Sequence, residues 1–214
     1  MLHVPLLPLR NMVLFPGIVL PVSIEREFSL EVIRRAMERN GFIGVAYQRN
    51  AEINVPKLED LHEIGTMAKV MRIIELPNGH YTALIQGFCR FGINNLLKSS
   101  PIYRASTFPI CEVNSPQGDK EFVVLVDAIR ELTVKLMRMS ENFGEENSFA
   151  IKNISNPVFL INFVCSNLAI PMQEKIELLK ITSPKDRALR LLSFLNREIQ
   201  FASLKANIQK KTRE

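Results

Sequence analysis

The sequence has no apolar stretch approaching the roughly 20 residues that a membrane-spanning helix requires. The opening run Met1–Arg10 is apolar, but it lacks a basic leader and is broken by Pro5, Pro8 and Arg10, so no secretory signal is expected. Cysteine is scarce. Cys89, Cys111 and Cys165 are odd in number and widely spaced, which argues against a disulfide framework; free, buried thiols in a reducing, cytoplasmic setting are expected. The three histidines, His3, His62 and His80, are equally scattered, and no pair of candidate ligands stands at a spacing that zinc normally uses. Neither a structural metal nor a cofactor is expected. Concentrated charge is missing too. Residues 1–117 carry 12 Lys/Arg against 10 Asp/Glu, and residues 118–214 carry 15 against 12, so the net charge of +5 is spread thinly. Four bases lie in the last ten residues, and no stripe suited to phosphates stands out elsewhere.

What is present is an ordinary globular composition, 47% apolar and 23% charged over 214 residues. A chain of this length buries roughly 70% of its unfolded surface and needs no staple to hold a core.

The pattern of apolar residues changes along the chain. The first half reads as strands: Val4–Leu9, Ile18–Ile24, Phe42–Gln48, Ile64–Leu76, Tyr81–Phe91 and Arg104–Val113 are rich in β-branched and aromatic residues. Pro77-Asn78-Gly79 separates two of them with the residues that a tight hairpin demands. Phe15-Pro16-Gly17 marks a second turn. One helix is predicted among the strands, with Ser29 as its cap, Leu30, Ile33, Ala36 and Met37 on one face, and Asn40-Gly41 as its stop. Beyond Ser115-Pro116-Gln117-Gly118 the period becomes helical. Phe122, Leu125, Val126, Ile129, Leu132 and Leu136 predict a helix over about 120–140. An irregular polar stretch, Glu141–Ser155, follows. Helices are then predicted from Asn156-Pro157 to Asn167, from Pro171 to Lys180, and onward from Ser183-Pro184. The expected class is α+β: a β-rich subdomain over residues 1–117, built as a small twisted sheet or pseudo-barrel with one helix, then a helical bundle over 118–214.

In the last helix Ala188, Leu192, Leu195, Ile199, Ala202 and Ala206 form a heptad seam. It runs on without a stop signal, as expected of a segment from a longer polypeptide.

Three groups invite a catalytic reading. Gly92–Ser99 resembles a phosphate-binding loop, but Leu97 replaces the glycine that lets backbone amides turn inward. Ser183 and Lys185 lie too close along a helix start to face one another, and Ser183 is a natural cap. Cys89 and Cys165 have no histidine nearby in sequence. Glu145-Glu146 reads as a solvated acidic pair. No catalytic residue is assigned.

The run Pro5-Leu6-Leu7-Pro8-Leu9-Arg10-Asn11-Met12-Val13-Leu14-Phe15-Pro16-Gly17 closely resembles the opening of Lon-type ATP-dependent proteases, with Asn11 where an aspartate is commoner. Gln48-Arg49-Asn50, Gly65-Thr66-Met67-Ala68, Asn78-Gly79 and Gly87-Phe88-Cys89-Arg90 resemble later family segments in the same order. The helical half, through Asn156-Pro157 and Gln173–Leu179, is similar more loosely. The resemblance implies a PUA-like β subdomain followed by a helical bundle ending in a long helix. It implies a non-catalytic module that engages unfolded or damaged proteins and passes them to AAA+ and peptidase domains elsewhere in the same polypeptide, within a homo-oligomeric ring. Pro184-Lys185-Asp186 resembles a stretch near the family's catalytic dyad, but Arg187-Ala188 break that match.

Client capture needs accessible apolar surface. The candidates are Met12, Val13, Leu14 and Phe15 on the loop before Pro16-Gly17, with Met67, Met71, Met137 and Met139, since the flexible thioether adapts to varied partners. A self-association or scaffold role would fall on Leu192, Leu195, Ile199, Ala202 and Ala206, and a standalone relative of the Lon N-terminal domain is a further alternative. RNA binding, known for PUA-like folds, is not expected without a basic-aromatic pattern.

Overall fold

A computed structural model of the chain describes residues 2–99, 102–113, 118–139 and 145–211. The chain divides into two compact units, Met1–Cys111 and Glu112–Glu214. The expected junction at 115–117 and the expected helix end at Ser140 lie outside the described residues.

The first unit contains β1 (Leu2–Leu9), β2 (Val19–Ile24), α1 (Glu27–Glu38), β3 (Phe42–Gln48), β4 (Leu61–Glu75), β5 (Tyr81–Ser99) and β6 (Ile102–Ile110). Its strands pair in the order β2-β5-β4-β3-β1-β6, and β6 returns to pair with β5. The ladder therefore closes on itself as a pseudo-barrel, with β2 laid along the outer stretch of β5. Closure is the work of β5, which bonds β4 through residues 81–92 and β6 through residues 90–99. The apolar pattern predicts that this strand ends at Phe91. Instead the strand continues, and Gly92 is where the ring of Phe108 presses against the backbone, leaving no room for a Cβ. The resemblance of Gly92–Ser99 to a phosphate loop disappears with it: these residues are strand. Leu6, Ala46, Leu61, Phe91, Ile93, Tyr103 and Ala105 fill the interior.

Local chemistry sets several boundaries as expected. Gly79 takes φ +78 in the β4–β5 turn, and its N–H donates to the Leu76 carbonyl at 2.9 Å. Helix α1 ends in a left-handed Asn40 (φ 49), with Asn40 N–H on the Met37 carbonyl and Gly41 N–H on the Ala36 carbonyl. Its start differs from expectation. The N-cap is Arg26, with no side-chain cap, and Ser29 is buried inside the first turn.

The second unit contains α2 (Lys120–Arg138), α3 (Glu145–Asn153), α4 (Pro157–Asn167), α5 (Met172–Lys180) and α6 (Pro184–Lys211). Asp119 caps α2, Asn156 caps α4 and Ser183 caps α6, each accepting a backbone N–H two or three residues on. Helix α3 occupies part of the stretch expected to be irregular. Its closing carbonyls are gathered by a residue far away in sequence: Arg130 donates to the carbonyls of Ile151, Lys152 and Ile154. A cation at a helix C-terminus satisfies orphan acceptors and opposes the helix dipole, and no local pattern could announce it.

At the centre of this unit Arg187 is only 1% exposed. Its guanidinium donates to Asn162 Oδ1 at 2.8 Å and to the Ile181 carbonyl, and it pairs with Glu112 at 2.9 Å. The residue that broke the peptidase-like match is thus the polar keystone of the helical unit.

Candidate functional site

The loop before Pro16 is not accessible as client capture would need. Val13, Leu14 and Phe15 are core residues, the last two completely buried. The cause is polar. Tyr47 is buried, and its hydroxyl donates to the Leu14 carbonyl at 2.9 Å, accepts the Leu14 N–H at 3.3 Å and lies 2.9 Å from Thr66 Oγ1. Thr66 adds a second donation to the Leu14 carbonyl at 2.7 Å. Burial pushes the Tyr47 phenol well above its ordinary pKa, so it stays a donor at every physiological pH. Gly87 lets the loop lie flat on β5: its N–H bonds the Ile18 carbonyl, its carbonyl accepts from Gly17, and a Cβ there would fall 2.6 Å from the Phe15 oxygen. Only Met12 reaches solvent, half-exposed at a cleft of about 440 Å³ bordered by Arg10, Arg26, Glu25 and Glu52. Arg10 and Arg26 latch residues 53–54 across this cleft.

The methionines divide. Met67 is half-buried against the barrel core. Met71 is exposed, and it faces Met37 across a shallow cleft of about 200 Å³ that Lys69 also lines. Beside the cleft, Phe42 lies opposite Lys69 in the β3–β4 ladder and meets Phe88 edge to face, ring centroids 5.2 Å apart. Phe42 and Phe88 are each 46% exposed. Phe42 and Phe88 thus form an open aromatic pair, and Lys69, opposite Phe42, also lines the cleft of Met37 and Met71. Phe42 and Phe88 were not singled out from sequence, yet strand alternation carries the signal. Ile43 points inward, which turns Phe42 outward. Phe88 follows the inward series Ala83, Ile85 and Gly87, at the bulge where β5 slips against β4.

In the helical unit Met137 and Met139 line an apolar groove of about 500 Å³ with Leu136, Phe163, Leu168 and Ala169. The seam residues do not share one exposed face. Leu195 and Ile199 are buried within the unit, Leu192 and Ala202 are half-buried, and only Ala206 is fully exposed. The solvent-facing stripe on α6 is instead Phe201, Leu204 and Ile208, stepping by three and four.

The groups weighed for catalysis have structural work. Lys185 bonds Asp119 at 3.0 Å and Glu121 at 2.6 Å, and these contacts, Glu121 foremost, raise its pKa and keep it charged rather than basic. Ser183 caps α6. Cys165 is buried, and desolvation pushes its thiol up to about 12. Cys89 and Cys111, by contrast, are exposed, so the expectation of buried thiols holds for one of the three. Among the described residues no three candidate ligands gather as a metal site, and no helix is long and apolar enough to cross a membrane.

A closed β unit joined to a helical unit is a recognised pairing. Residues 3–197 match the family model of the ATP-dependent protease La (LON) substrate-binding domain, and the chain belongs to that family. It is 41% identical over 209 residues to the Lon protease of Flavobacterium johnsoniae and 42% identical over 212 residues to that of Parabacteroides distasonis. These alignments take in 98% and 99% of this chain and 26% of each relative, so the chain spans about a quarter of their length. The fold is similar to the N-terminal domain of a Mycobacterium avium complex Lon protease, with a TM-score of 0.74 and 16% identity over 91% of this chain and 98% of that one. A Lon N-terminal domain protein from Xanthomonas campestris gives a TM-score of 0.65, with 16% identity over 90% and 98%.

Proposed function

We propose that the chain is a non-catalytic client-capture module that holds unfolded or damaged polypeptides for an ATP-driven motor and peptidase in a longer protein. The observation that carries this reading is the open aromatic pair of Phe42 and Phe88 on the first unit, with Met37 and Met71 exposed at a cleft that Lys69 also lines. Exposed aromatics give large contact area with little entropy to lose, and methionines repack around different side chains. Unfolded chains present the matching apolar groups, and a shallow surface accommodates many of them. The exposure of Met71 and the place of Met137 and Met139 in an open groove support them as client contacts, whereas the burial of Val13, Leu14 and Phe15 gives those three no support.

The test is binding of a carboxymethylated, permanently unfolded polypeptide, followed by fluorescence anisotropy. Replacing both Phe42 and Phe88 with alanine is expected to weaken binding roughly tenfold, about 1.4 kcal/mol, while the melting temperature moves little. Unchanged affinity in the double variant would remove this surface as the capture site.

A second role, pairing with another copy in a ring, is favoured by the Phe201, Leu204 and Ile208 stripe, whose spacing suits helix pairing. Changing Phe201 and Leu204 to glutamate is expected to lower the mass measured by light scattering toward that of a single chain. A single-chain mass for the unaltered protein would count against it.

A further inference from the structure

Cys89 lies in β5, and Cys111 follows β6 directly. The two strands run antiparallel with Arg90 opposite Ile110, so one further step along the ladder sets Cys89 opposite Cys111. Directly opposed residues of an antiparallel pair share a face, with Cα atoms about 4.5–5.5 Å apart. That separation falls inside the range a disulfide bridges. Both thiols are free and exposed. The Cys89 thiol is held above its usual pKa by burial first and by the charge of Cys111 second. Cys165 belongs to the other unit and is buried, so it does not compete.

We propose that Cys89 and Cys111 form a reversible oxidation site, a dithiol that closes to an internal disulfide with a hydroperoxide as oxidant. The thiolate of one cysteine attacks the peroxide oxygen, breaking the O–O bond and leaving a sulfenic acid as the oxidant departs as water or alcohol. The second thiol attacks the sulfenic sulfur, the S–S bond forms, and water leaves with the proton. Two thiols and one peroxide thus become one disulfide, one water from the condensation and one further water or alcohol from the oxidant; the cysteines lose two electrons and the peroxide gains them. A small dithiol reverses the change by exchange. Since the thiolate is the nucleophile and the Cys89 pKa is raised, closure accelerates as pH rises from neutral into the alkaline range.

The test treats the full chain with hydrogen peroxide under native conditions, then denatures it and alkylates the remaining thiols for mass analysis. The expected result is a monomer lighter by two hydrogen atoms that retains one alkylatable thiol, at Cys165. Peptide mapping should recover Cys89 joined to Cys111, and dithiothreitol should restore all three thiols. Cys89→Ser and Cys111→Ser, shown folded by circular dichroism, should each abolish the internal link. The proposal is overturned if the two cysteines oxidise separately to sulfinic acids, if links form only between chains or through Cys165, or if the native chain forms no link at all.

Discussion

Arg187→Met is expected to destabilise the helical unit by about 3 kcal/mol, seen as an early loss of helical circular dichroism in urea. The side chain is almost entirely buried and holds three partners: the Asn162 amide oxygen, the Ile181 carbonyl and the Glu112 carboxylate. Methionine fills much of the volume but donates nothing. The Ile181 carbonyl, just past the end of α5, and the Asn162 oxygen would then lose their shared donor, and unsatisfied buried acceptors cost about 1–3 kcal/mol apiece. Glu112 is partly exposed and can turn toward water, which tempers the loss at that partner. Lysine should recover only part of the stability, because one ammonium cannot reproduce the planar fork that reaches all three acceptors. A change below about 1 kcal/mol for Arg187→Met would mean that the network is not what holds these helices.

Phe15→Ala is expected to cost about 3–5 kcal/mol, the range for emptying a fully buried aromatic site. Collapse around the gap is hindered on two sides. Tyr47 and Thr66 pin the Leu14 backbone, and Gly87 already lets β5 touch the Phe15 carbonyl. Client affinity per folded molecule should stay unchanged, in contrast to the Phe42 and Phe88 pair, where affinity falls and stability does not. Thermal melts alongside the anisotropy titration separate the two cases. Weakened binding by Phe15→Ala at an unchanged melting temperature would return the loop to the client surface.

Much of the fold was legible because its signals are local. The Asn156-Pro157 and Ser183-Pro184 starts, the Asn78-Gly79 turn and the Asn40-Gly41 stop each depend on residues within one turn of the boundary they set. What escaped depends on distant partners. Helix α3 is finished by Arg130, the continuation of β5 past Gly92 by Phe108, and the start of α1 comes at Arg26 although Ser29 is the better local cap. The site was harder for a related reason. An apolar run such as Met12–Phe15 reads the same whether it faces water or core, and only the polar grip of Tyr47 and Thr66 decides. On α6 two apolar stripes lie side by side; the one containing Leu195 and Ile199 packs inward and the one containing Phe201 and Leu204 is left outside. Periodicity finds both and does not rank them.

The pairing of β1 with β6 has a temporal side. Leu2 sits opposite Thr107 and Val4 opposite Ala105, so the first strand of the unit is held on one flank by the unit's last. On a ribosome adding about 5–20 residues each second, that flank stays open until about a hundred further residues have followed it. Meanwhile β1 presents Leu6, Leu7 and Leu9, which the finished barrel hides. A nascent chain of this kind has the same need for a temporary hydrophobic shelter that the mature module is proposed to offer its clients.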